Sequence, residues 1–335
     1  MESEDPSVES TPTRRKLRIT QLLLVFFVAL SATWGAIFLF GSDDTSPEGE
    51  APAPEAPAMA STAGFTPPPD SAIPDGPLGD SIRRGQALFT NTGEHAREFV
   101  GSGLVCSNCH LDGGRDPNSA PMWAAAAMFP EYRRKNDRIN TMEDRIMGCF
   151  IYSMNASASP AGVPPPAGHD IYRDFMAYFA FLATGAPTGI AFEQRGFMDV
   201  DMPAGGYDIA RGATIYAEQC ALCHGDNGEG QLAPDGTYAF PPLWGDKSYN
   251  WGAGMSRLAN AAGFIKANMP FGNGMSLTDQ QAWDVAAFVD SHERPPDPRQ
   301  FQQGITIEQA RERHHASGDF YGQVIDGDLL GDGVP

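Results

Sequence analysis

The sequence predicts an all-α protein: two small helical domains of like design behind an N-terminal membrane-spanning helix. Three observations lead there. A thiol pair followed directly by histidine occurs twice, as CSNCH (Cys106, Cys109, His110) and CALCH (Cys220, Cys223, His224). Around each motif the same helical pattern recurs. Ahead of both, TQLLLVFFVALSATWGAIFLF (Thr20 to Phe40) is an apolar run that reaches about 30 Å as a helix, enough for a bilayer.

Taken in order, residues 1–16 are acidic and then basic, and the basic TRRKLR before the apolar run favours an inside N-terminus. A cleaved signal peptide has a shorter apolar core, about 7–15 residues, ending at a small-residue site. Residues 17–40 therefore read as a retained inner-membrane anchor, with the body in the periplasm. Residues 41–79 are rich in Pro, Ala and acidic side chains and nearly free of large apolar ones, the composition of an extended linker. The first domain is expected over 80–188, a connection over 189–204, the second domain over 205–293 and a tail over 294–335.

Each CxxCH can add its two thiols to the vinyl groups of a haem while the adjacent histidine binds the iron, so covalently attached haem c is expected in both domains. Paired Cys-x-x-Cys zinc ligands lie closer together, usually about 15–20 residues apart, and a thioredoxin-like pair explains neither the histidine nor the repetition. RGQALF (Arg84 to Phe89) precedes the first motif and RGATIY (Arg211 to Tyr216) the second. Aromatic-rich helices close the domains: IYRDFMAYFAFLA (Ile171 to Ala183) and DQQAWDVAAFVDS (Asp279 to Ser291), the latter opened by Thr278 with Gln281 three residues on, a capping-box signature. Gly85, Gly212, Tyr178 and Phe288 are assigned to packing.

The fifth cysteine, Cys149 in GCFIYSMN, belongs to no local motif. From the residues alone it reads as a buried inert thiol or a bridge to another chain. His95 and His169 sit in polar segments flanked by Gly and Pro and read as exposed. His314 and His315 end a short amphipathic tail helix and receive no metal. Of the 13 methionines most are core filler; Met269, Met255 and Met275 are the ligand candidates for the second haem.

Each repeat resembles a class I cytochrome c domain, the second closely through CHGDNGEG and MPFG around Met269. In that family a methionine followed by proline commonly supplies the second axial ligand, which favours Met269, and methionine ligation raises the reduction potential. The first repeat carries a longer insert. Its CSNCHLDGGR, SAPMWAAAAMFP, KNDRINTMEDRI and GCFIYSMN resemble the catalytic haem domain of dihaem thiosulfate dehydrogenases, and with the second domain the likeness covers roughly residues 80–292.

The resemblance implies two covalently attached haem c groups and the oxidation of two thiosulfates to tetrathionate, with electrons passing to an external acceptor such as a soluble cytochrome. It makes Cys149 the distal ligand opposite His110, and Arg145 and Ser153 substrate-contacting residues, with Arg138 beside them. A metal favours the thiolate, which is both ligand and nucleophile. With 23 basic against 42 acidic residues the chain has a formal net charge of −19, which argues against nucleic acid as a partner and repels a dianion unless the pocket is locally positive. Arg133, Arg134, Lys135, Arg138 and Arg145 supply such charge, although the interspersed Glu131, Asp137, Glu143 and Asp144 suit a solvated helix as well. The reverse reaction, and a dihaem carrier without substrate chemistry, remain open readings.

Overall fold

The repeat written in the sequence becomes two crossed helix pairs. The computed structural model describes residues 65–133, 138–188, 192–316 and 318–334, all within one compact unit. In chain order the main helices of the first lobe are α1 (Pro77–Thr90), α2 (Met122–Met128), α3 (Met142–Tyr152) and α4 (Asp170–Leu182). The second lobe has α5 (Ile209–Gln219), α6 (Leu258–Asn268) and α7 (Asp279–Asp290), and the tail has α8 (Pro298–Gln303) and α9 (Ile307–His314).

Helix α1 packs across α4, and α5 across α7. Glycine makes both crossings possible: a Cβ on Gly85 would stand 2.0 Å from the Asp174 carbonyl oxygen, and one on Gly212 would stand 2.0 Å from that of Asp284. The arginine before each glycine then clasps the side chain of the same aspartate. Arg84 donates through Nε and Nη2 to Asp174 at 2.8 Å each, and Arg211 to Asp284 at 2.8 and 2.9 Å. Tyr178 and Phe288, four residues beyond those aspartates, cover the glycines. Gly212→Ala is expected to cost about 1–3 kcal/mol through overpacking, lowering Tm by roughly 2–12 °C for a body of this size. Gly93, with nothing near its would-be Cβ, is the control. Equal melting of the two alanine variants would contradict the close-packing account.

An aromatic cluster fills the first lobe, with Phe89, Phe150, Phe175 and Phe179 nearly inaccessible to solvent. Phe65 and Phe192 flank Trp123, at ring separations of 4.9 and 5.3 Å, so the segment before α1 and the interlobe connection both seal this core. The predicted capping box of α7 is present: Thr278 accepts from the Gln281 N–H, and Gln281 returns the bond to the Thr278 N–H at 2.9 Å. The tail lies on the second lobe, where Phe320, Tyr321 and Leu330 join its core. His315 stacks on Tyr321 and is bound on one side by Asp319, at 2.7 Å, and on the other by Asp297, at 2.9 Å.

Two features depart from the expected fold class. Among the described residues no helix is long and apolar enough to cross a membrane, and the expected span Thr20 to Phe40 lies outside them. The class is therefore corrected to a mainly helical body without a membrane-spanning helix, and membrane attachment through such a helix is withdrawn. The body is also not purely helical, because hairpins pair β1 (Glu131–Arg133) with β2 (Arg138–Asn140), β3 (Gln231–Leu232) with β4 (Tyr238–Phe240), and β5 (Val324–Ile325) with β6 (Asp328–Leu329). The first of these takes up much of the arginine-rich block. Pro130 disfavours helix at the residue before it, and α2 has already ended at Met128.

Candidate functional site

Helix α3 presents the unpaired cysteine. Thr141 caps it by accepting from the Asp144 N–H, and Asp144 accepts from the Thr141 N–H at 2.8 Å in return. Ile146 and Phe150 are buried and fix the helix rotation. Ser153 follows with helical φ and ψ of −73° and −40°, its N–H bonded to the Cys149 carbonyl. Arg145, Cys149 and Ser153 thus fall at steps of four along one face. All three line a cavity of about 390 Å³ together with Cys106, Cys109 and His110. The structure therefore brings together the first CxxCH and most of the substrate residues that the resemblance implies.

Arg138 lies elsewhere. It is exposed on β2, bonded to Asp144 at 3.2 Å, and is not part of the cavity wall. Arg134 and Lys135 fall outside the described residues. Within the wall, Arg195 approaches Glu131 at 3.9 Å, whereas the side chains of Arg145 and Arg257 make no hydrogen bond or ion pair with any described residue. His95 is exposed, and His169 is occupied as the N-cap of α4, accepting from the Ile171 N–H. Neither histidine borders the cavity.

A second cavity of about 290 Å³ is framed by Cys220, Cys223, His224 and Met269. Met269 sits at the C-cap of α6, half-buried. Its rivals separate by position: Met275 is 55 % exposed and touches neither cavity, while Met255 stands in the partition. That partition is shared. Leu104, Cys109, Tyr249 and Met255 belong to both cavity walls. The segment carrying Tyr249 is tied to the end of α3, because Asn250 receives a bond at its Oδ1 from Gly252 and donates through Nδ2 to the Ile151 carbonyl at 2.9 Å.

Both motif histidines are set for iron. The Nδ1 of His110 bonds the Ala120 carbonyl at 2.8 Å, and that of His224 bonds the Pro241 carbonyl at 2.9 Å, which leaves each Nε2 for a metal. Burial lowers the pKa of His110 to about 4, opposed by the Ala120 carbonyl and assisted by the positive charge of Arg145. Burial likewise lowers that of His224. Both imidazoles are held in the neutral form that ligates metals. Burial pushes the thiols of Cys106 and Cys109 up to about 12.

Cavities bordered by CxxCH, each with a neutral histidine and a sulfur donor in its wall, fit covalently bound haem and define a c-type cytochrome. The cytochrome c family model matches residues 209–293, which is most of the second lobe. The chain is 49 % identical to the thiosulfate dehydrogenase of Stutzerimonas stutzeri (strain A1501) over 272 residues, 81 % of this chain and 86 % of that protein. It is 41 % identical to that of Allochromatium vinosum over 238 residues, 70 % of this chain and 86 % of the relative. The structure of thiosulfate dehydrogenase (TsdBA) from Marichromatium purpuratum superposes with a TM-score of 0.76 at 49 % identity, covering 81 % of this chain and 58 % of that longer one. The chain belongs to the thiosulfate dehydrogenase family.

Sequence reasoning did not find Arg195, Arg257 or Tyr249. None stands in a motif, and Arg257 and Tyr249 reach the first cavity from the second lobe, so no local pattern could have announced them.

Proposed function

We propose that the chain oxidises thiosulfate and joins two molecules into tetrathionate. The observation that carries this reading is the single face of α3 on which Arg145, Cys149 and Ser153 share one cavity wall with His110. A plain electron carrier has no use for an unpaired guanidinium beside a free thiol. The residues that would hold a first haem are Cys106, Cys109, His110 and Cys149, and a second Cys220, Cys223, His224 and Met269. Such haems, when bound, supply two one-electron acceptors for a two-electron oxidation.

The protein's own part is nucleophilic. The Cys149 thiolate forms a bond to the sulfane sulfur of one thiosulfate, and two electrons leave, giving a cysteine S-thiosulfonate with one negative charge. The sulfane sulfur of a second thiosulfate then attacks the first sulfane sulfur. The bond to Cys149 breaks, tetrathionate departs as a dianion and the thiolate returns. Charge and atoms balance in both steps, and no proton is required. Arg145 binds a sulfonate, for which a guanidinium offers paired N–H donors. The Ser153 hydroxyl, one helical turn beyond Cys149, adds a donor on the same side.

Electrons pass across the shared partition and leave from the second lobe to an external redox protein. What supports that exit is apolar exposure around the second cavity, with Leu222 of the CALCH motif 86 % exposed and Phe271 in the wall 75 % exposed. The working compartment is the periplasm, where c-type haem is attached. Titrating the oxidised holoprotein with thiosulfate tests the whole reading. Direct haem reduction with one tetrathionate formed per two thiosulfates is expected; a protein that thiosulfate leaves oxidised is a carrier.

A further inference from the structure

We propose that Arg257, from the second lobe, is a substrate-binding residue of the first cavity and holds the sulfonate of the second thiosulfate, and so the outer end of tetrathionate. The inference rests on the thiosulfate-coupling reading and gives it a second oxyanion subsite.

Helix α6 borders both cavities. Its middle, at Ala261, Phe264 and Ile265, forms wall of the second, whereas its first turn, at Arg257 and Asn260, forms wall of the first. Asn260 donates through Nδ2 to the Gly254 carbonyl at 2.7 Å and so braces the turn that leads into Arg257. Arg257 is the N-cap of α6 and no side chain caps that helix, so the positive end of its dipole falls at this residue.

Most telling is what Arg257 lacks. Several arginines of this acidic protein are paired with carboxylates, as at Arg84, Arg211, Arg138 and Arg294. Arg257 is half-buried, yet among the described residues its side chain has no hydrogen-bond or ion-pair partner. A charge withdrawn from water without a partner is unfavourable, and an anion in the cavity removes that penalty. Arg145 is the other unpaired arginine of this wall and comes from a different element.

The coupling step needs two such cations. A thiosulfate dianion must bring its sulfane sulfur into bonding distance of an adduct that already carries a sulfonate, and like charges repel strongly in a partly desolvated site. With one guanidinium for each sulfonate, Arg145 serves the adduct on Cys149 and Arg257 the incoming anion. Tetrathionate has a sulfonate at each end and spans both. Another anion with the same chemistry is a propionate of the bound haem, and the test separates the two.

Tetrathionate binding to the fully oxidised holoprotein, which has no electrons with which to cleave it, is measured by calorimetry for wild type, Arg257→Gln and Arg257→Lys. Steady-state KM, kcat and the potential of the first haem are measured alongside. For Arg257→Gln the expected results are at least tenfold weaker tetrathionate binding, a KM for thiosulfate raised by a similar factor with kcat less affected, and an unchanged first-haem potential. Lysine should restore part of the affinity. Wild-type affinity in the glutamine variant overturns the proposal. A shifted potential with unchanged tetrathionate affinity assigns Arg257 to a propionate and also overturns it. Wild-type protein that neither takes electrons from thiosulfate nor binds tetrathionate sinks the functional reading and this subsite with it, whereas a competent wild type matched by the variant sinks the subsite alone.

Discussion

Cys149→Met is expected to yield a protein with haem still attached through Cys106, Cys109, Cys220 and Cys223 but without turnover. The cavity wall supplies the reason. Cys149 shares it with His110, so a thioether at this position can still reach the iron and should raise its potential. It has no thiolate with which to form the sulfur adduct. Activity should therefore fall by about 10³-fold or more, as for loss of other catalytic nucleophiles. Cys149→Ala should be equally inactive, but with an altered first-haem spectrum because the donor itself is gone. The pair of variants separates ligand from nucleophile. If the methionine protein forms tetrathionate at near the parental rate, Cys149 is a ligand only and the S-thiosulfonate step is wrong.

How much of this was legible beforehand depended on the range of the interaction. The CxxCH motifs are covalent and local, and each histidine sits on the same turn as its thiols, so a short string carried the whole instruction. The RG pairs were visible as a repeat, and their glycines were correctly read as packing. Their reason was not visible, because the partners Asp174 and Asp284 meet them only through the crossing of helices distant in the chain. The α3 face needs no tertiary information, because residues four apart share one side of a helix, although it was the family likeness that singled out Arg145, Cys149 and Ser153.

Interactions between segments were where reading failed. The arginine-rich block read as one locally positive stretch, with a solvated helix as the alternative, yet Arg138 lies exposed on a hairpin strand and Arg145 on a helix that borders the cavity. Tyr249 and Arg257 gained their positions from the docking of one lobe on the other, fixed in part by Asn250 against the end of α3. Hydropathy alone suggested a membrane-spanning helix as part of the fold class. Among the described residues no helix is long and apolar enough to cross a membrane.

Arg145 and Arg138 put that division to a direct test, since charge counting treats them alike and the geometry does not. Arg145 borders the cavity one turn before Cys149, has no ion-pair partner among the described residues, and its charge acts on His110 in the same wall. Arg138 is exposed and already engaged by Asp144. Hydrogen bonds to charged groups contribute about 1.5–3 kcal/mol, so Arg145→Gln should lower kcat/KM for thiosulfate by about 10- to 100-fold. Arg138→Gln removes only an exposed pair worth about 0–1 kcal/mol and should stay within about fivefold of the parent. Salt gives a second readout. Added salt screens both the long-range repulsion by the acidic surface and the attraction that Arg145 adds. The salt response of kcat/KM should therefore shift toward a rise with ionic strength in Arg145→Gln, where only the repulsion is left to screen, and stay as in the parent in Arg138→Gln. Should the Arg138 variant prove the more damaged of the two, substrate enters from the hairpin side, and the cavity face of α3 is not where the first thiosulfate is held.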